Sequence, residues 1–239
     1  MNSTNNATAR ASFEHAKNMF AKAMLDKFAG NWGRARDWAE RLKLSQSEIR
    51  CEVKLTTSTN VFTFGVTTVQ QNTDNTIFNT EKRLNQQDSL CVTEYGIFVR
   101  KPSSATDTTD SLQSYPNPNI FSTANVASAL RGTFYSHGGF LIKVNNDIVL
   151  PYRGLFNHLF TPVTQKSGVT ASSTVPLYED QLRGAEDGFI TCEPNIVLIG
   201  SKNYVPQIEL PAPLAAAETH QRAVLIFRGI LAQNSTIVN

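Results

Sequence analysis

Near residue 46 of this 239-residue chain the apolar residues change their spacing, and that change decides what it can fold into. Upstream, Phe13, Ala16, Phe20, Met24 and Phe28 recur at steps of three and four, with His15, Asn18, Lys22 and Asp26 on the other side. That repeat describes one face of a helix. Gly30 stands where a helix C-terminal cap belongs, and Asn31 can open a second helix striped by Ala35, Trp38 and Leu42. Downstream, Ile49, Cys51, Val53 and Leu55 alternate with Glu48, Arg50, Glu52 and Lys54. A period of two is a strand with an apolar face on a core and a charged face in water.

Strand-like runs continue at 61–66, 90–99, 140–144, 148–150, 189–199, 205–210 and 222–231, with a short one near 76–78. Asn145-Asn146-Asp147 predicts a tight hairpin turn. Residues 1–8 read as a disordered polar tail. Residues 67–89, 101–119 and 163–188 read as long polar loops or insertions. There is no internal repeat and no interdomain linker. About eight strands joined by such loops predict an antiparallel jelly-roll β-sandwich over 46–239, preceded by a helical arm over 1–45.

Charged residues are only 18% of the chain, and Asn, Gln, Ser and Thr take their place. A neutral polar surface suits a protein that packs against copies of itself, because few charges must be desolvated; it equally suits a β-rich chain with many turns. The charge is uneven. Residues 1–45 hold eight basic and four acidic side chains, so they carry +4 of a formal net +2 and the rest carries −2. A basic arm on an acidic body points to an anionic partner, or to a solvated helix face.

Cys51, Cys91 and Cys192 are too few and too far apart for a disulfide framework, and reduced, intracellular synthesis is expected. The polar opening residues do not form a signal peptide, and no apolar run has transmembrane length.

Enzymatic chemistry finds little support. Ser136-His137-Gly138-Gly139-Phe140 is similar to an esterase oxyanion loop, but that chemistry needs a Gly-x-Ser-x-Gly nucleophile elbow, and the sequence has none. His15, His137, His158 and His220 lack zinc-helix spacing, and Cys-x-x-Cys does not occur. Glu179-Asp180 and Glu186-Asp187 lie in a polar insertion and read as solvated. No glycine loop of a phosphate or dinucleotide site appears. The expectation is a non-enzymatic protein with no catalytic residue, cofactor or metal.

The run from Ala129 through Gly132, His137, Gly139 and Val144, followed by Pro151 and Phe160-Thr161-Pro162, resembles a mid-domain segment of jelly-roll capsid proteins of tailless bacterial viruses. Arg83–Asp88 leading to Gly96–Val99, and the last strand, fit the same pattern. Many members of that family carry two jelly rolls, and residues 46–239 are too short for two, which leaves a minor or vertex component open. The resemblance implies a capsid protein that self-assembles into an icosahedral shell, made in the host cytoplasm and located in the virion. It also implies homo-oligomers, contacts with other virion proteins, and an arm against genome or internal membrane.

On that reading Phe13, Phe20, Met24, Phe28 and Trp38 are the assembly arm, and Lys17, Lys22, Lys27, Arg34 and Arg36 face an anion. The alternative is a β-sandwich binding module of a virion, for attachment or for carbohydrate. That role calls for exposed aromatics on a sheet face, whereas Trp32 and Trp38 both lie in the helical segment. A hydrolase on the same scaffold comes third.

Overall fold

The computed structural model of the chain describes residues 3–118, 120–145, 147–159 and 188–236, with side chains from Ala11 onward. Two four-stranded antiparallel sheets form the body. The first has β1 (Lys43–Lys54), β8 (Arg222–Gln233), β3 (Ser89–Arg100) and β6 (Phe189–Ile199) side by side in that order. The second has β2 (Val61–Thr63), β7 (Tyr204–Glu209), β4 (Gly139–Val144) and β5 (Asp147–Gly154).

Register follows from the alternation. Ile49 pairs with Phe227, Cys51 with Leu225 and Val53 with Ala223, and all six lie in one core with Leu55, Phe62, Phe140 and Ile208. A slip of one residue would turn every one of them to the other face.

β3 changes phase along its length. Leu90 and Val92 face the core, and so do Tyr95, Ile97 and Val99. Even and odd positions share a face because an extra residue, Thr93, shifts the register against β8; at the same point the register against β6 also shifts, with the surplus residues on β6. The bulge presses the β3 backbone onto β8. A Cβ at Gly229 would lie 1.9 Å from the Cys91 carbonyl oxygen, so only glycine fits there.

The outer face of the first sheet is covered at one end by helices. α1 (Ser3–Ala23) leads through a 3-10 turn (Leu25–Phe28) to α2 (Trp32–Glu40). Ala29 and Gly30 take left-handed backbone angles at the turn, φ 51° and 75°. The Asn31 side chain accepts the Arg34 N–H at 3.1 Å, capping α2 as its position predicts. α1 begins at Ser3, inside the segment expected to be a disordered tail. Ala16 and Phe20 pack on Cys91, Ile230 and Ala232 of β3 and β8, while Ala21 meets Ala35 and Ala39 between the helices.

Two expectations are corrected. Residues 76–78 form no strand; the Thr76 N–H bonds to Asn72 Oδ1 at 2.9 Å and the Phe78 N–H to Glu81 Oε2 at 2.9 Å, so side chains replace a ladder. Between β3 and β4 a short helix, α3 (Val126–Ala129), widens into a π-helix over Leu130–Ser136. The charged face of β1 is not uniformly in water, because Glu52 is fully buried. The expected insertion at 163–188 and the Phe160-Thr161-Pro162 segment lie, but for Gly188, outside the described residues.

Candidate functional site

The expected arm residues divide by environment. Phe20 and Met24 are buried, at 1% and 4% exposure, Phe20 against the first sheet and Met24 in the main core. Phe13, Phe28 and Trp38 are half-buried, and the Phe28 and Trp38 rings meet at 5.7 Å. The apolar stripe is thus covered by the chain's own sheet and by the second helix. Burying each such ring contributes on the order of 1.5–3 kcal/mol.

Of the five expected anion-facing residues, Lys22, Lys27, Arg34 and Arg36 are exposed. Lys27 Nζ donates to the Thr236 carbonyl at 3.4 Å. None of the four has a carboxylate partner among the described residues. Lys17 differs: its ammonium bridges Glu40 at 2.6 Å and Glu14 at 2.9 Å, and these bonds, Glu40 first, raise its pKa. Lys17 ties α1 to α2. Trp32, 44% exposed, opens α2, the helix that also carries Arg34 and Arg36. Among the described residues no helix is long and apolar enough to cross a membrane.

At the other end of the same face lies a charged cluster that the sequence did not reveal. Glu52 receives Arg100 at 3.1 and 3.2 Å, Arg222 at 3.1 Å and Arg50 at 2.7 Å, with the Thr80 hydroxyl as a further donor. Arg100 also grips Asp110 through two bonds, and the Asp107 carbonyl at 3.0 Å. Arg222 holds the Ala105 carbonyl at 2.6 Å and stacks 3.7 Å over the Phe78 ring. Burial pushes the Glu52 carboxyl up; Thr80, Arg50, Arg100 and Arg222 outweigh burial and leave it below its ordinary value. The cluster fastens the 101–118 and 76–84 loops to the sheet.

The Ser136-His137-Gly138-Gly139 motif is a turn from the π-helix into β4. The Gly138 N–H is committed to the Phe134 carbonyl at 2.9 Å, and Gly139 lies directly under the Tyr152 ring. His137 is exposed, and its nearby polar contact is the Tyr152 hydroxyl, 3.5 Å from its carbonyl oxygen. His158 is instead buried beside Tyr95, with ring centroids 5.1 Å apart and Nδ1 3.2 Å from the Gly188 carbonyl. Burial lowers its pKa to about 4, although the Gly188 contact opposes the shift.

Cys51, Cys91 and Cys192 are buried free thiols. Burial raises all three pKa values, that of Cys91 to about 11, so none is a ready nucleophile. Among the described residues no three His, Cys, Asp or Glu side chains gather as a metal site. Glu179-Asp180 and Glu186-Asp187 lie outside the described residues.

A cleft of about 500 Å³ opens beside Gln70, Lys202, Asn203 and Tyr204. Its central amide is already saturated. Gln70 accepts the Val66 and Thr67 N–H groups, both at 2.9 Å, and donates to Asn203 Oδ1 and to the Tyr204 carbonyl. No protein-family model matches the chain, and no curated protein matches it.

Proposed function

We propose that this chain is a structural subunit of a virus capsid, a single jelly roll with an N-terminal helical arm, and that its copies assemble into an icosahedral shell. The observation that carries the reading is the pairing pattern. β1 pairs with β8, β2 with β7, β3 with β6 and β4 with β5, all antiparallel. That is the pattern of one long two-stranded ribbon closed at the β4–β5 turn. Wrapping the ribbon brings β8 against β3 and β7 against β4, which also pair. Pairing of this kind supports reading the two sheets as a jelly roll.

A fold does not fix a function. The capsid reading adds the low charge content, the resemblance around residues 129–162, and a helical segment whose outward side is basic. On this reading the protein is synthesised in the host cytoplasm and resides in the virion. The helices lie on the inner side of the shell and turn Lys22, Lys27, Arg34 and Arg36 toward genome or internal membrane, and other virion proteins complete the shell.

The test is size-exclusion chromatography with light scattering on the purified protein, followed by electron microscopy of the largest species. Symmetric oligomers or closed particles are expected. A monomer at every concentration overturns the proposal.

A further inference from the structure

Seven large apolar side chains are exposed among the described residues, and four of them fall within nine positions of one another. Ile148, Val149, Tyr152 and Phe156 are 62%, 39%, 56% and 60% exposed. They sit on β5, an edge of the second sheet, and on the turn that follows it. The patch is built. Gly139 and Gly154 face each other across β4 and β5. Tyr152 lies over the first, where a Cβ would come within 1.8 Å of its ring, and Phe156 over the second, where a Cβ would come within 2.5 Å. Two paired glycines therefore seat two aromatic rings on the sheet and hold them, so little side-chain freedom remains to be lost on binding. Exposed apolar patches on a sheet edge mark contact surfaces.

We infer that this edge is a two-fold contact between copies of the chain, with β5 laid antiparallel beside β5 of a second copy; the inference rests on the capsid reading. Charge selects a second copy. β5 begins at exposed Asp147 and carries Arg153 next to its end at Gly154. Arg153 donates one bond to the Glu193 carbonyl at 3.3 Å, and neither residue makes an ion pair among the described residues. A two-fold axis near Leu150 sets Asp147 against Arg153 of the second copy twice, and Ile148 against its Tyr152, with Val149 opposite its Pro151. An isologous contact needs this self-complementarity. The register of β5 on β4 slips twice, and Pro151 offers no N–H, so the contact works through side chains rather than one continuous sheet. Six residues of strand span about 20 Å, so each contact is small and gains strength by repetition in a shell.

The experiment compares the intact wild-type chain with Asp147→Arg, Arg153→Asp and an equimolar mixture of the two, by sedimentation equilibrium and light scattering. Each variant alone places like charges together twice, and self-association should weaken about tenfold or more. A mixed pair sets the arginines of one variant against the aspartates of the other in both places and should recover it. An Ile148→Ser/Tyr152→Ser double variant should weaken association with an unchanged melting temperature. Weakening without recovery in the mixture overturns the two-fold pairing. Unaltered assembly in all variants overturns the contact and leaves the capsid reading standing. A lowered melting temperature with unaltered association means that the patch serves the subunit's own packing, and also overturns the contact. Wild-type pairs dissolved by the single variants, with no larger particle at any concentration, support the contact and overturn the capsid reading. A strictly monomeric wild type overturns both.

Discussion

Glu52 shows what a strand pattern cannot convey about a single residue. Its neighbours in the alternation include exposed Glu48 and half-buried Arg50 and Lys54, yet Glu52 is fully buried. Period two fixes the face; what lies over that face depends on loops folding back from residues 76–84 and 101–118, and no local pattern encodes that. Glu52→Ala would leave Arg100 and Arg222 buried without their shared carboxylate, at a cost of about 3–5 kcal/mol in urea unfolding. Protease cleavage within 101–118 should accelerate in the same variant, since both arginines hold that loop. The carboxyl's depressed pKa means that its stabilisation is present above the ordinary glutamate range and is lost as pH falls through the folded value. His158 acts in a higher window. Folded, it titrates at about 4 against an ordinary 6.5, so the unfolded chain takes up the proton first and stability falls as pH drops through that interval. The full loss is about 3 kcal/mol, and His158→Gln should abolish that part of the pH dependence of the unfolding free energy.

Among the elements, strands were the legible part. Every strand with clear alternation is present, because one side of each meets the same core. The reversal of phase in β3, with Leu90 and Val92 and then Tyr95, Ile97 and Val99 inward, is itself a sequence signal that a residue is extra at Thr93. The run at 76–78 shared the composition of a strand, but Asn72 and Glu81 satisfy its backbone instead. The π-helical continuation of α3 had no signal in residue spacing. For the first helix, the stripe announced burial without saying against what. Since Phe20 and Ala16 close over Cys91, Ile230 and Ala232, the helix contributes to the stability of the folded chain. Phe20→Ala should cost about 3–5 kcal/mol by denaturant titration. Removing residues 1–44 should uncover the outer face of β3 and β8 and yield an aggregation-prone sheet. A truncated chain as stable as the full one would show that the helices contribute no cover.

For the whole molecule, the two ends of one sheet face have opposite characters: the loop end buries its charges in pairs, and the helical end keeps Lys22, Lys27, Arg34 and Arg36 unpaired and exposed. Unpaired cations on a packed helix contribute little to the fold, so changing them separates assembly from anion binding. Converting all four to Gln should leave the melting temperature and particle size unchanged. It should weaken binding to a single-stranded oligonucleotide, the probe for an anionic genome. If all four meet phosphates, the wild-type affinity falls with salt at a log–log slope of about 3, and the slope of the variant approaches zero. Lys17→Gln is the control that a charge count alone would misjudge. It removes the same single charge, but that charge already joins Glu14 and Glu40. The salt slope should therefore remain as in the wild type, while helix packing loosens by at most about 1 kcal/mol. An equal fall in slope for Lys17→Gln and for each of the four would mean that binding follows total charge rather than this face, and the inward orientation of the helices would lose its support.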